Sequence, residues 1–413
     1  MTAPAKDELV SAESRKGGLG SVMRGKTERL KKAMIWILML LALSFPWDTV
    51  SAEPENGRWI VDDSLEDQNR VQDLIGTMTL EEKICQLFFV TPEQCLGGRR
   101  VYKADKSFQS AYCRFPVGGM ILFSQNIQKN NIAPLNAGMQ SAAAESGGIG
   151  LFIGVDEEGG KISRVANRLK LKEKQPNPAR ITTPEEAFAS GKIIGGYLSE
   201  NGFNLDFAPV ADVRSDVKGA EITFRSYGRD PEQVGSMVSQ FVKGLHSQQI
   251  LSVLKHFPGH GAVSGDTHNG AGISRRTLEE LRKVDFIPFE AGIAAGADMV
   301  MISHQIAQNI DPERPASLSP KVVGILREEL GFDGVIITDA LRMGAVNNRY
   351  GSGEACVMAL EAGADMLLLP DNFKEALASV TEAVRDGRIP ESRINESLKR
   401  ILSLKEKYGL LGK

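Results

Sequence analysis

Residues 250–270, ILSVLKHFPGHGAVSGDTHNG, join a short apolar run to a loop that holds three of the five histidines of the chain. The run 250–254 predicts a buried β-strand, with Lys255 and His256 at its end. Glycine, proline and serine then predict a loop that ends in Asp266-Thr267-His268. Titratable side chains among glycines favour a loop that carries chemistry, and a surface loop with incidental histidines is the alternative.

Seven further apolar runs of strand length alternate with helical patterns along the chain. The eight runs are residues 86–90, 119–123, 151–155, 205–209, 250–254, 299–303, 335–338 and 366–369. Eight strand-and-helix units over roughly 350 residues predict an α/β fold, a (β/α)8 TIM barrel that forms one catalytic domain of residues 66–413. A doubly wound sheet is the alternative, but eight regular units favour closure.

Helical patterns fill the intervals between these runs. Thr79 and Glu82 form a capping-box pattern at the start of an early helix. Later helices are predicted over residues 184–199, 231–247, 277–292, 320–330, 353–362 and 390–408.

Polar side chains stand in or just past the ends of the apolar runs. They are Asp156, Asp206, Lys255, His256, His304 and Asp339. In a barrel these ends gather on one face, where active sites form. A strand-end aspartate can instead cap the following helix, and this alternative applies best to Asp206 and Asp212.

Composition indicates a globular protein without a nucleic-acid partner. The 413 residues carry a formal net charge of −3, with 42% hydrophobic and 24% charged residues. These values are ordinary for soluble domains, and the charge balance gives no reason to expect binding to nucleic acid.

The N-terminus has the layout of a secretory signal peptide. Residues 24–32 are basic, residues 33–45 are apolar but too short to span a bilayer, and Val50-Ser51-Ala52 offers a cleavage site. We therefore expect residues 1–52 to be an N-terminal extension and signal peptide, followed by a linker, 53–65. This predicts a secreted, periplasmic or cell-envelope protein without a stable membrane partner; an uncleaved membrane anchor is the alternative.

The four cysteines show no CxxC pair, which argues against a zinc ribbon or a thioredoxin-like site. Export permits disulfides, so a bond between Cys95 and Cys113 is left open. Cys85 and Cys356 lie among apolar residues and are expected to behave as small buried hydrophobes.

The strand-end residues suit cleavage of a glycosidic bond. Asp339 follows the run 335–338, and Asp266 and His268 lie on the loop after 250–254. Glycosidases need a carboxylate on one face of the anomeric carbon and a proton donor at the leaving oxygen. His268 is the candidate donor, with Asp266 orienting its ring.

Other side chains would hold the sugar. Arg164, Arg225 and Lys255 are candidate hydrogen-bond donors for hydroxyls or an N-acetyl carbonyl. A zinc site of His256, His260, His268 and Asp266 is the rival, but its spacing matches no common zinc signature. We therefore expect neither a metal nor an organic cofactor.

Several separate motifs, in order, carry a resemblance to a known family. They are VDEEGGKISR at 155–164, FAPVADV at 207–213, FRSYGRDP at 224–231, KHFPGHG at 255–261 with DTH at 266–268, and ITDA at 337–340. With these motifs the chain resembles the single-domain bacterial β-N-acetylglucosaminidases (β-N-acetylhexosaminidases) of glycoside hydrolase family 3. The resemblance runs from about residue 65 to the C-terminus.

The resemblance implies a retaining exo-acting enzyme. Asp339 falls on the nucleophile that forms a glycosyl-aspartate, and His268 with Asp266 falls on the acid/base pair. The positions that bind N-acetylglucosamine are Asp156, Arg164, Arg225, Lys255 and His256. The implied substrates are small carbohydrates, peptidoglycan fragments or chitin oligosaccharides. Alternatives are a β-glucosidase, a catalytically silent sugar-binding barrel, and use of phosphate as the acceptor.

Overall fold

Eight parallel β-strands form the centre of the fold in the computed structural model, which describes residues 63–216, 221–263 and 272–412. The strands are β1 Phe88–Val90, β2 Gly119–Ile121, β3 Phe152–Val155, β4 Leu205–Asp206, β5 Leu251–Phe257, β6 Met299–Ile302, β7 Val335–Thr338 and β8 Leu367–Leu368. Strands β1 to β7 pair in chain order and β8 pairs with β1. A parallel bridge between Ile337 and Met366 joins β7 to β8. The predicted (β/α)8 barrel is confirmed.

Helices surround this sheet. In the described part of the chain they are α1 Asp63–Thr77, α2 Leu80–Gln86, α3 Pro92–Cys95, α4 Lys106–Arg114, α5 Ile132–Glu145, α6 Arg164–Leu169, α7 Pro184–Glu200, α8 Pro231–His246, α9 Leu278–Lys283, α10 Phe286–Ala294, α11 Pro320–Gly324, α12 Gly344–Tyr350, α13 Ser352–Ala362, α14 Phe373–Arg385 and α15 Glu391–Lys407. None of these described helices is long and apolar enough to cross a membrane.

All eight predicted strands are present, and one of them is longer than predicted. The run 250–254 extends through Lys255 and His256 to Phe257. Charged side chains are tolerated in this buried strand because they are paired: the Lys255 ammonium lies 2.7 Å from a carboxylate oxygen of Glu158.

Two predicted helices are interrupted. The helix expected over 277–292 is two helices, α9 and α10, that separate at Val284. Pro288 explains the break, since its ring would collide with the carbonyl four residues earlier in a continuous helix. The helix expected over 320–330 passes into a π-helical turn at Ile325–Glu329.

The capping box at Thr79 is confirmed. The Thr79 hydroxyl accepts a hydrogen bond from the Glu82 backbone N–H at 3.3 Å, and the Glu82 carboxylate accepts one from the Thr79 N–H at 2.8 Å. These contacts satisfy two backbone donors that an isolated helix start leaves open. Asp206 and Asp212, by contrast, cap no helix: Asp206 lies within β4 and Asp212 in the loop after it.

All four cysteines are free thiols. The Cys95–Cys113 disulfide that the sequence left open is not formed, since Cys95 is buried in the core and Cys113 is exposed. Burial raises the pKa of the Cys85 and Cys95 thiols to about 12, so both are protonated at neutral pH. The predicted signal peptide and nearly all of the linker lie outside the described residues, and both stay predictions.

Candidate active site

A cavity of about 450 Å³ lies at the carboxyl ends of the strands, the face where barrel enzymes bind their substrates. Its volume is in the range of small-molecule sites. Six of the eight residues predicted to catalyse the reaction or to bind the sugar line it together, namely Asp156, Arg164, Arg225, Lys255, His256 and Asp339. The other two, Asp266 and His268, lie outside the described residues.

Asp156, just past β3, is held by two cations. The Arg164 Nε and Nη2 atoms donate to Oδ2 at 3.1 and 2.9 Å, and the Lys255 Nζ donates to Oδ1 at 3.0 Å. Burial alone would raise the pKa of this carboxyl, but Lys255 and Arg164 outweigh it and keep that pKa below its usual range. Asp156 is therefore an anion that fixes two donors at the cavity wall.

Glu158 is a site residue that the sequence reasoning missed. Arg225 donates to its two oxygens from Nε and Nη2 at 2.8 and 2.6 Å, and Lys255 lies at 2.7 Å. Against the effect of burial, Arg225 and Lys255 lower the pKa of Glu158 to about 2. The available signal was spacing: Glu158 lies two residues after Asp156, so in extended chain both side chains face the same side.

The Glu157 side chain faces the side opposite to Asp156 and Glu158 and stabilises the fold. Its carboxylate accepts hydrogen bonds from the backbone N–H groups of Val165 and Ala166 at 2.7 and 3.0 Å, and from the Tyr197 hydroxyl at 2.8 Å. Its own N–H donates to Asp206 at 3.0 Å. These contacts fix the backbone between Asp156 and Glu158.

His256 is oriented by Asp212. The ring Nδ1 lies 2.7 Å from Asp212 Oδ2, and the other Asp212 oxygen accepts the backbone N–H groups of His256 and His260 at 3.3 and 2.6 Å. Arg225 Nη2 lies 3.3 Å from His256 Nε2. Because a guanidinium only donates, Nε2 is the acceptor and Nδ1 carries the proton that Asp212 accepts.

Asp339 directly follows β7. Its Oδ1 accepts the Ala340 backbone N–H at 2.7 Å, and the described residues supply no hydrogen bond to its Oδ2. Burial would raise the pKa of Asp339, but the His304 and His256 rings, the Ala340 N–H and the Lys255 ammonium together outweigh burial and lower that pKa. An ionised carboxylate with one oriented and one free oxygen is suited to nucleophilic attack.

His304 supports the backbone that follows this carboxylate. Its Nε2 donates to the Ala340 carbonyl at 3.0 Å, and its Nδ1 accepts from the Ser317 hydroxyl at 2.7 Å. Burial lowers the pKa of His304, although the nearby Asp339 carboxylate acts against this shift. The strand-end pattern placed His304 on the correct face, where it positions Asp339.

The loop that follows β5 packs closely, at Gly261, against the backbone of Val213. A Cβ on Gly261 would collide with the carbonyl of Val213, and the Gly261 carbonyl accepts a hydrogen bond from the Ser215 hydroxyl at 2.6 Å.

Among the described residues no group of three or more histidine, cysteine, aspartate or glutamate side chains is placed to hold a metal. The zinc alternative also requires Asp266 and His268, which lie outside those residues.

Comparison with known proteins identifies the family. A model described as "Glycosyl hydrolase family 3 N terminal domain" matches residues 79–404. A "Beta-hexosaminidase" of Stenotrophomonas maltophilia (strain K279a) is 37% identical over 274 residues, 64% of this chain and 80% of that protein. "Beta-hexosaminidase LpqI" of Mycobacterium tuberculosis is 31% identical over 306 residues, 72% of this chain and 78% of that protein.

Solved structures agree with this assignment. The structure of a glycoside hydrolase family 3 β-N-acetylglucosaminidase from Paenibacillus sp. str. FPU-7 aligns with a TM-score of 0.75 at 35% identity. The alignment covers 81% of this chain and 63% of the Paenibacillus chain, so this chain spans less than two thirds of that neighbour. Because the family model covers most of the barrel and the fold agrees, the chain belongs to glycosyl hydrolase family 3.

Proposed function

We propose that this family 3 glycoside hydrolase is a retaining exo-β-N-acetylglucosaminidase that removes terminal β-linked N-acetylglucosamine. Its coarser activity, that of a β-hexosaminidase, follows from the family and from the relatives described above. The observation that carries the finer proposal is the Asp339 carboxylate, which lines the same cavity as Lys255, Arg225 and His256.

In the proposed first step, Asp339 attacks the anomeric carbon and the glycosidic C–O bond breaks, which leaves the sugar covalently bound to the carboxylate. His268 gives its proton to the departing oxygen. In the second step His268 takes a proton from water, whose oxygen displaces Asp339 and restores the carboxylate. Asp266 acts through His268 by orienting its ring.

The sugar would be bound by side chains that are already fixed in place. Asp156 accepts from hydroxyls, and Arg164, Arg225 and Lys255 donate to hydroxyls or to the N-acetyl carbonyl. His256 completes this subsite. Since the Asp156 and Glu158 contacts hold these cations before substrate arrives, little ordering is left to be done on binding.

Paired chromogenic substrates test this proposal on the full chain. We expect strong preference for 4-nitrophenyl N-acetyl-β-glucosaminide over 4-nitrophenyl β-glucoside, each measured with and without phosphate. Equal or better turnover of the plain glucoside points to a β-glucosidase, and folded protein that turns over neither is a sugar-binding barrel. N-acetylglucosamine 1-phosphate as the main product identifies phosphate as the acceptor.

We also propose export through residues 1–52 and action on peptidoglycan fragments rather than chitin oligosaccharides. The support is the basic, apolar and small-residue order of the N-terminus, which would bring the enzyme to cell-wall material. N-terminal sequencing of the exported protein is expected to start near Glu53. An intact N-terminus on membrane-bound protein contradicts cleavage.

A further inference from the structure

The cavity carries one cation that the proposed sugar subsite does not use. Four lysine and arginine side chains line the cavity, and three of them, Arg164, Arg225 and Lys255, form ion pairs with Asp156 or Glu158. The fourth, Arg342, has no carboxylate oxygen within 4 Å among residues 63–216, 221–263 and 272–412.

Packing orients the Arg342 guanidinium. Its carbon lies 5.1 Å from the centre of the Phe123 ring, and Arg164 lies 4.9 Å from the same ring. A guanidinium stacked on an aromatic ring leaves the N–H groups at its edge available to a ligand. The Arg342 backbone N–H donates to the Leu369 carbonyl at 3.0 Å, so the residue is tied to the end of β8.

Arg342 also lies close to the reaction centre. It follows Asp339 by three residues, and three residues of chain span at most about 11 Å. The side chain is exposed, in contrast to the buried Lys255. An exposed cation at this distance from the nucleophile is placed to contact the leaving group rather than the sugar that Asp339 attacks.

We infer that Arg342, stacked on Phe123, recognises a carboxylate on the aglycone and makes the enzyme prefer acidic leaving groups over neutral sugars. A carboxylate matches the planar fork of a guanidinium and can accept two of its hydrogen bonds. The N-acetylmuramic acid unit carries such a carboxylate in peptidoglycan fragments from which the peptide has been removed, and chitin oligosaccharides carry none. This inference rests on the proposed function and narrows its substrate class.

The test compares two disaccharides that differ in charge. One is N-acetylglucosamine β-1,4-linked to N-acetylmuramic acid, and the other is the same compound with its carboxylate converted to the methyl amide. For the wild-type full chain we expect kcat/KM to be roughly tenfold higher for the acid, the size of a partly exposed charged hydrogen bond. Added salt is expected to reduce the ratio.

Substitution identifies the residue responsible. In Arg342→Met the acid-to-amide ratio is expected to fall to about one, and in Arg342→Lys, which keeps the charge without the fork, to lie in between. Arg114→Met is the matched control, because Arg114 is also exposed and stacked on a ring, Phe115 at 5.2 Å, but does not line the cavity. Its ratio is expected to equal that of the wild type.

Failure of the inference about Arg342 can be distinguished from failure of the proposed function. The inference is overturned by a wild-type acid-to-amide ratio near one, or by an unchanged ratio in folded Arg342→Met. In either case, hydrolysis of both disaccharides leaves the proposed function intact. An Arg342→Met variant that loses only phosphate-dependent turnover also overturns it, since the anion is then the acceptor. No hydrolysis of either compound or of 4-nitrophenyl N-acetyl-β-glucosaminide contradicts the proposed function itself.

Discussion

Two groups of buried charge lie at opposite ends of the barrel. The mouth cluster, at the carboxyl ends of the strands, consists of Asp156, Glu158, Arg164, Arg225 and Lys255. The base cluster, at the amino ends, consists of Asp365, Arg327, Arg393 and Arg400. Both place carboxylates among several cations, yet only the mouth cluster lines the cavity.

The carboxylate of the base cluster is bound entirely within the fold. Asp365 also accepts the Ser397 hydroxyl at 2.8 Å and the Ile336 N–H at 2.9 Å. Arg327 donates to the carbonyls of Phe332 and Gly334 at 2.5 and 2.6 Å, so its donors are used within the fold. In the mouth cluster the Asp156 side chain keeps 18% of its surface exposed, whereas the Asp365 side chain is fully buried. Similar chemistry therefore stabilises one end and leaves groups for a ligand at the other.

The largest effect is expected at the mouth. Asp339→Asn removes the proposed nucleophile but keeps its shape, and we expect turnover to fall roughly 10⁴-fold or more. Initial rates on 4-nitrophenyl N-acetyl-β-glucosaminide measure the loss. Asp333→Asn, an exposed aspartate near the base, is the control that should keep full activity. Activity retained in Asp339→Asn assigns the nucleophile to another group.

Substitution in the base cluster is expected to lower the stability of the fold and to leave catalysis unchanged. Asp365→Asn removes a buried carboxylate and leaves three partly buried arginines without their counterion, which is expected to cost about 3–5 kcal/mol of unfolding free energy. Turnover per folded molecule should stay at the wild-type value. Urea unfolding and active-site titration measure the two quantities. A variant that stays fully stable but loses turnover refutes the distinction between the clusters.

The pH dependence of Glu158 sharpens the comparison further. Its pKa is about 2 in the folded chain, against an ordinary value of 4.5. Because the folded pKa is the lower one, the stabilisation is complete above pH 4.5 and disappears as the pH falls towards 2. The difference corresponds to about 3 kcal/mol.

Glu158→Gln is therefore expected to be less stable than the wild type at pH 7 and to approach it at low pH. Urea unfolding at pH 7, 5 and 3 measures this convergence. Exposed Glu185→Gln is the control and should follow the wild type throughout. A constant difference at every pH excludes ionisation of Glu158 as its source.

The smallest effect is expected for charge pairs on the surface. Arg388 donates to Glu354 at 2.8 and 2.7 Å and to Glu361 at 2.9 Å from each of two nitrogens. These groups are 36–46% exposed, so water and salt screen them. Arg388→Gln should cost less than about 1 kcal/mol, measured by urea unfolding at low and high salt. A loss as large as that of Asp365→Asn means that burial is not what distinguishes the base cluster from these surface pairs.

Much of this architecture was predictable from local patterns. The eight apolar runs specified eight strands, and Asp156, Lys255, His256 and Asp339 were placed at strand ends that meet at one cavity. The errors have local causes as well: Pro288 breaks a predicted helix, and paired charges let β5 continue past Leu254. For Glu158 the local spacing indicates only that it faces the same side as Asp156, and its partners Arg225 and Lys255 lie far away in the sequence.

The sequence alone specifies the local features of this protein. These are the apolar runs of strand length, the helical patterns between them and the polar residue after each strand, all of which depend only on neighbouring residues. The choice of partner for each charged side chain, in contrast, depends on residues that are distant in the sequence. Arg225 and Glu158 are separated by 67 residues, Lys255 and Asp156 by 99, and His256 and Asp212 by 44. A buried charge is stable only beside its counterion, and closure of the barrel brings these distant groups together. Which carboxylates hold cations, and which one remains free to react, is therefore a property of the folded barrel.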